Sequence, residues 1–197
     1  WLPAIHGSPH LFILGIPGQG KSWTVTRILT ELAQQQVPAL VLDFHGQFAD
    51  PHEPFAQAAH PTVLDAAKGL PFSPFECSLD NDSNGWQANA FAVAEIFAHV
   101  VSLGDMQRDI VFSAILEVYK DHGFRDDLGL SSSDLTYPTL NEVFQRIESF
   151  AQIRHSPSVV ARCRPLLEMN LFRPQEQMPD LLSTIRSGLV IDLHNLY

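Results

Sequence analysis

The segment Leu11-Phe12-Ile13-Leu14-Gly15-Ile16-Pro17-Gly18-Gln19-Gly20-Lys21-Ser22 restricts the possible folds more than any other part of the chain. An apolar run drops into a glycine-rich loop ending in Lys-Ser, and Gly15, Gly20, Lys21 and Ser22 satisfy the pattern G-x-x-x-x-G-K-[ST]. Glycines let successive backbone N–H groups turn inward around phosphate oxygens, and a helix starting at Lys21 adds the positive end of its dipole. The phosphate-holding stretch is therefore Gly15, Pro17, Gly18, Gln19, Gly20, Lys21, Ser22 and Trp23. Within it Lys21 is expected on the outer phosphates and Ser22 on Mg²⁺. Trp23 either packs against the sheet or stacks on a base.

The flanking sequence supplies the context such a loop needs. His10 to Gly15 reads as a short buried strand. Val25, Ile28, Leu29 and Leu32 recur at helical spacing from Lys21 to Gln36, where Val37-Pro38 stops the helix, and Ala39 to Phe44 reads as a second apolar strand. Strand, glycine loop, helix and strand make a βαβ unit, whose continuous apolar strands imply a parallel sheet covered on both faces. The proline-broken stretch His45 to Pro74 reads as loop, with a very short strand at Val63-Leu64.

After a polar turn over Leu79 to Gly85, helical periodicity runs through Trp86–Leu103, Asp105–His122 and Thr139–Ile153. A further helix, Pro157–Met169, is expected to kink or break at Pro165. Thr139 with Glu142 is a capping box, and Gly123 stands where a left-handed helix end is expected. Asp126 to Thr136 reads as a disordered loop, and Leu189 onward, "LVIDLHNLY", as the last buried strand. The fold class is α/β, a P-loop (RecA-like) parallel sheet in a single domain, with a helical block over about 86–170 inserted between strands.

Composition narrows the setting. A chain of 197 residues suits one domain, and no apolar run approaches the roughly 20 residues that span a bilayer. No secretory leader is visible, and Cys77 and Cys163 form no CxxC pair, so a reducing cytoplasm is the expected compartment. The formal net charge of −10 argues against coating nucleic acid with the whole surface, but leaves room for local contact through a loop or a ring pore.

Hydrolysis requires more than the loop: a carboxylate for the Mg²⁺ shell and a group that orients water. Two strands end in Asp, at Asp43 and Asp192. Asp192 is followed by Leu193 rather than Glu, which favours a turn-capping role. Asp43 to Gly46 also fits D-x-x-G, yet no N-K-x-D guanine signature occurs. Lys21, Asp43 and His45 are the candidate catalytic residues, His45 because it stands beside a strand end near the outer phosphate. His45, His52 and His60 with Asp43 and Asp50 do not have a metal-site spacing. Phe91, Phe97, Phe112 and Phe144 fall at helical spacing and read as core. A finger arginine is sought among Arg154, Arg162, Arg164, Arg173 and Arg186, without a choice among them.

Several of these pieces together resemble the HerA/FtsK superfamily of DNA-pumping ATPases, which includes HerA-like helicases and conjugative secretion ATPases. Asp43-Phe44-His45-Gly46-Gln47 stands where that family has a D-x-H-G-E/D-like turn. "GLPFSPFE" from Gly69, "LGDMQ" from Leu103 and the closing "GLVIDLHNL" follow in the family's order. The resemblance implies Mg-ATP as ligand and a DNA translocase or helicase motor. It further implies a homo-oligomeric ring, a hexamer being one size it allows, with duplex DNA held by pore loops. Gln47 departs from the family's acidic residue, and the family's Asp-Glu strand is expected beyond Tyr197, which would make this the N-terminal part of a motor core. An ATP-binding interaction module without turnover is the main rival reading; a GTPase-like switch or a small-molecule kinase is disfavoured.

Overall fold

The computed structural model describes residues 10–77, 85–125, 136–173 and 181–196. In chain order its elements are α1 (Lys21–Gln34), β1 (Leu40–Asp43), α2 (Pro54–Ala59), β2 (Thr62–Asp65), α3 (Gly85–Val100), α4 (Asp105–Asp121), α5 (Leu140–Ile153), α6 (Pro157–Glu168), α7 (Leu181–Arg186) and β3 (Leu189–Asp192). They form two compact units: the described residues up to Leu64 together with those from Leu182 onward, and Asp65–Leu181 between them. The polar turn expected before residue 85 and the loop expected after residue 125 lie, but for their end residues Gly85 and Thr136, outside the described residues.

The first unit is α/β, built on a three-stranded sheet in the order β1-β3-β2. β1 and β3 run parallel, with Leu40 beside Leu189 and Asp43 beside Asp192. Val41, Phe55 and Val190 form its core, against which Leu29 and Ala33 of α1 and Phe48 pack. The end of α1 is closed locally: Gln36 takes a left-handed conformation (φ 58°) and the Val37 N–H donates to the Leu32 carbonyl at 2.9 Å. Pro54 opens α2 at a position where its missing N–H costs nothing, and Phe55 buries the helix against the sheet.

Two strand expectations are corrected here. His10–Gly15 joins no ladder, and Leu11, Phe12, Leu14 and Ile16 are all at least 70% exposed. An apolar run becomes a strand only where another strand accepts its N–H and C=O groups, and none among the described residues does so. β1 is covered on one face only, Val41 and Asp43 being buried while Leu40 and Leu42 are exposed; β3 alone is buried along its whole length.

The second unit is helical. α3 to α6 pack around Ile110, Val111, Ile115, Val143, Ile147 and Val159. The Thr139–Glu142 capping box is present, with the Glu142 N–H donating to Thr139 Oγ1 and the Thr139 N–H to Glu142 Oε2, and Gly123 has φ 93°. α6 runs unbroken through Pro165 to Glu168, the proline removing its own ladder bond without ending the helix. Phe97 and Phe144 are core, whereas Phe91 is half-exposed and meets Phe112 edge-on at 6.0 Å. Burial pushes the thiols of Cys77 and Cys163 up to about 11, so both remain protonated at neutral pH. No described helix is long and apolar enough to cross a membrane.

Tyr119 ties this unit together. Its ring is fully buried against Phe75, Trp86 and Phe124. Its hydroxyl donates to the Phe75 carbonyl and accepts from Asn89 Nδ2 at 2.8 Å. Tyr119→Phe keeps the packing but leaves the Phe75 carbonyl and the Asn89 amide short of a partner. Urea denaturation is expected to show a loss of about 1–3 kcal/mol.

Candidate nucleotide site

The glycine loop is shaped by its backbone. Gly18 and Gly20 have φ of 81° and 80°, a left-handed geometry that side chains other than glycine seldom adopt, and a Cβ on either would meet nothing within 4 Å. Gly20 caps α1 without any side-chain cap, and the first turn of α1 carries no acidic residue. The leading N–H groups of the helix thus keep their donors for an outside anion. Lys21 bends back over the loop, its stem 3.5 Å from where a Gly15 Cβ would stand and its Nζ donating to the Ile16 carbonyl at 2.9 Å. Open left-handed glycines, uncapped donors, a hydroxyl at Ser22 and a lysine held by one exchangeable bond are a donor set that fits a polyphosphate with Mg²⁺.

Trp23 projects from α1 with 71% of its surface exposed. It borders a cavity of about 390 Å³ that continues along α1 past Thr26 and Thr30 to Gln47 and Glu53. The expected packing of its indole on the sheet is therefore not what holds it.

Asp43 ends β1 and is held there by the backbone of the turn that follows. The carboxylate is 3% exposed and accepts three backbone N–H bonds: from His45 at 3.2 Å on Oδ1, and from Phe48 at 2.7 Å and Ala49 at 3.1 Å on Oδ2. It clamps the turn that follows β1. His45 lies exposed in that turn. Asp50 likewise accepts from the His52 N–H, and His60 ends α2 in a left-handed conformation. Among the described residues no His, Cys, Asp and Glu group is arranged to hold a metal ion.

Gln47 leaves this turn toward α1, its Nε2 donating to Thr26 Oγ1 at 3.2 Å and to Glu53 Oε1 at 2.8 Å. On the other side of the turn lies His194. Its Nδ1 bonds Asp192 Oδ1 at 2.6 Å, and since a carboxylate only accepts, that nitrogen carries the proton. The ring sits so close to Gly46 (φ 72°) that a Cβ there would come within 2.9 Å of Nδ1. Sequence reasoning missed His194. The signal available was a repeated spelling, Asp43-Phe44-His45 and Asp192-Leu193-His194, at the ends of two strands that the structure sets side by side.

Of the five arginines, Arg154 pairs with Asp109, Arg164 with Glu148, and Arg162 donates to the Ser102 carbonyl at 2.7 Å. Arg173 packs its stem on Gly69, and Arg186 ends α7 exposed.

The family model of the helicase HerA central domain matches residues 7–196. The chain belongs to that family. Among solved structures, VirB4 of Thermoanaerobacter pseudethanolicus is similar, with a TM-score of 0.67 and 18% identity over 92% of this chain and 49% of that one. This HerA-family chain thus spans about half the length of that structure and shares its P-loop ATPase fold. No curated protein matches it. Membership places it among HerA/FtsK-type ATPases, for which nucleotide binding, typically with Mg²⁺, is the common property.

Because the buried Asp43 satisfies three backbone N–H groups at once, Asp43→Ala is expected to destabilise the HerA-family fold by about 1–3 kcal/mol. Asp43→Asn, which keeps one acceptor oxygen, is expected to lose less. Urea unfolding followed by circular dichroism checks both; equal stability of all three proteins is the contrary result.

Proposed function

We propose that the chain is the ATP-binding motor domain of a HerA/FtsK-like DNA translocase or helicase acting as a homo-oligomeric ring. The observation that carries this reading is the open, uncapped glycine loop at the start of α1 in a chain of this family. Lys21 exchanges the Ile16 carbonyl for outer phosphate oxygens, and the N–H groups of Gly18 to Ser22 surround the phosphates. Ser22 supplies the hydroxyl for Mg²⁺, which when bound neutralises charge on the phosphates. Duplex DNA is contacted locally, in keeping with a net charge of −10.

One observation favours a second reading, a module that binds ATP to order itself for a partner without turning it over. Both oxygens of Asp43, the carboxylate that ends β1, are engaged by backbone N–H groups, which draws that carboxylate into the fold rather than toward a Mg²⁺ shell.

Binding of a fluorescent ATP analogue, with Trp23 as energy donor, and ATP hydrolysis with and without duplex DNA, on this chain and on a longer form carrying the family's Asp-Glu strand, separate the two. The motor reading expects Mg²⁺-dependent binding by both, hydrolysis stimulated by DNA in the longer form, and loss of binding by at least about tenfold in Lys21→Ala. Binding without turnover under any condition supports the module. Unchanged affinity in Lys21→Ala removes the premise of both.

A further inference from the structure

We propose that the outward face of α3 is a docking surface for a basic amphipathic helix of a partner protein. A helix at the surface of a globular unit presents polar residues to water, and one that is apolar all round is normally covered on every side. α3 is apolar all round, and its outer side is open. Glu95 is the only Asp, Glu, Lys or Arg among its 16 residues. The inner face sends Trp86, Ala90, Val93, Ala94 and Phe97 into the core of the second unit. The outer face consists of Ala88, Phe91, Ala92, Ile96, His99 and Val100, all exposed, with Phe91, Ile96 and Val100 each more than half open to solvent.

The fold does not account for that outer face. Burial of the inner face and five alanines are enough to hold α3 as a helix. Ile96 and Val100, being β-branched, are poorer helix formers than the Lys, Glu or Gln usual at exposed positions, so they cost a little helix stability where they stand. An apolar contact outside the unit supplies the return.

The spacing selects a helix as the occupant. Ala88, Ala92, Ile96 and Val100 stand four residues apart and form one continuous ridge, the row that interdigitates with the equivalent row of another helix. The two alanines let the occupant's backbone approach and leave room there for its larger side chains; Ile96 and Val100 meet it one and two turns on. An occupant with apolar residues at i, i+3, i+4 and i+7 matches this surface.

Charge selects a basic one. From Asp65 to Leu181 there are 17 Asp and Glu against 9 Lys and Arg, so −8 of the chain's −10 is concentrated in this unit. Phe91 and Glu95 lie on the flank of the stripe that faces α4, where Phe91 meets Phe112. On that flank Arg108 is shared between Glu95 at 2.8 Å and Asp105 at 3.8 Å, and the Asp105 side chain is 97% exposed. Exposed pairs of this kind exchange readily for another cation, so lysines along one edge of an incoming helix meet Glu95 and Asp105 directly. A second copy of the same acidic unit would instead set like charges against each other.

The test is fluorescence anisotropy with a labelled peptide of about 18 residues, five helical turns, made of leucine and lysine with leucine at those apolar positions. A scrambled peptide of the same composition and a leucine–glutamate counterpart are the controls. The chain is expected to bind the leucine–lysine helix at least about tenfold more tightly than either control. The double variant Ile96→Ser/Val100→Ser, and separately Ala92→Gln, which puts polar bulk on the ridge while keeping a good helix former, are each expected to weaken binding by about tenfold with an unchanged melting temperature. Glu95→Gln weakens it less and lowers its dependence on salt. Equal binding of the scrambled peptide, or unchanged affinity in both ridge variants, overturns the proposal. So does a dimer of the parent in sedimentation velocity that the ridge variants abolish, since a second copy then covers the stripe. Binding by this chain that is lost in the longer form also overturns it, because the protein's own sequence is then the cover.

Discussion

The first unit depends on one buried carboxylate. A charge taken out of water is tolerated only when polar partners replace its hydration, and Asp43 obtains all of its replacement from the backbone of the six residues that follow it. Those N–H groups converge on its two oxygens, so the burial of Asp43 and the path of the turn are coupled. The path sends Gln47 against α1 and Phe48 edge-on against Phe55, 6.4 Å between ring centroids, which in turn fills the space beside Val41 and Val190. Grip and architecture are therefore divided between neighbouring parts of the chain. The glycine loop keeps its donors outward for a ligand, and the strand end spends its carboxylate inward on the fold.

What could be read in the sequence was whatever is decided locally. The glycine loop is a contiguous pattern whose parts each have a physical task. The helices of the second unit were delimited to within a few residues because caps and apolar stripes act over one or two turns, as at Thr139 with Glu142 and at Gly123. The misses needed partners from elsewhere. Leu11 to Leu14 has the composition of a strand, but a ladder is a property of two segments. α2 and α7, six residues each, are too short to hold themselves by propensity, and α2 exists because Phe55 finds the sheet. His194 lies 148 positions from Gly46, and only parallel pairing of β1 with β3 brings them together. Asp43 was legible as a strand-end carboxylate, but its destination was hidden in backbone donors, which carry no sequence signature.

The charge distribution bears on the proposed contact with DNA. The chain has 12 basic residues. Among the described residues six of them make ion pairs: Arg27, Lys68, Arg108, Arg146, Arg154 and Arg164. Arg125 and Arg162 donate to backbone carbonyls, and Lys21 does so to the loop. Most of these partners are at the surface, where an ion pair is worth about 1 kcal/mol or less and is readily traded for another anion. Pairing therefore does not disqualify a cation from meeting a phosphate, but no face of the described structure is preset with unpaired positive charge. On the proposed motor reading, a DNA contact is therefore assembled rather than displayed.

The two Asp-x-His strand ends show how the same spelling acquires two meanings. Each aspartate accepts the N–H of the histidine two residues on, at 3.2 Å for Asp43 and 3.1 Å for Asp192, so the local geometry begins alike. The difference lies in what comes next. After His45, Gly46 adopts a left-handed φ that turns the chain back and delivers two further N–H groups to Asp43, drawing its carboxylate away from its histidine. After His194 stands Asn195, and an oxygen of Asp192 bonds the imidazole. Gly46 thus serves both strand ends: its left-handed φ lets the first close into a clamp, and its missing Cβ gives the space in which His194 of the second rests.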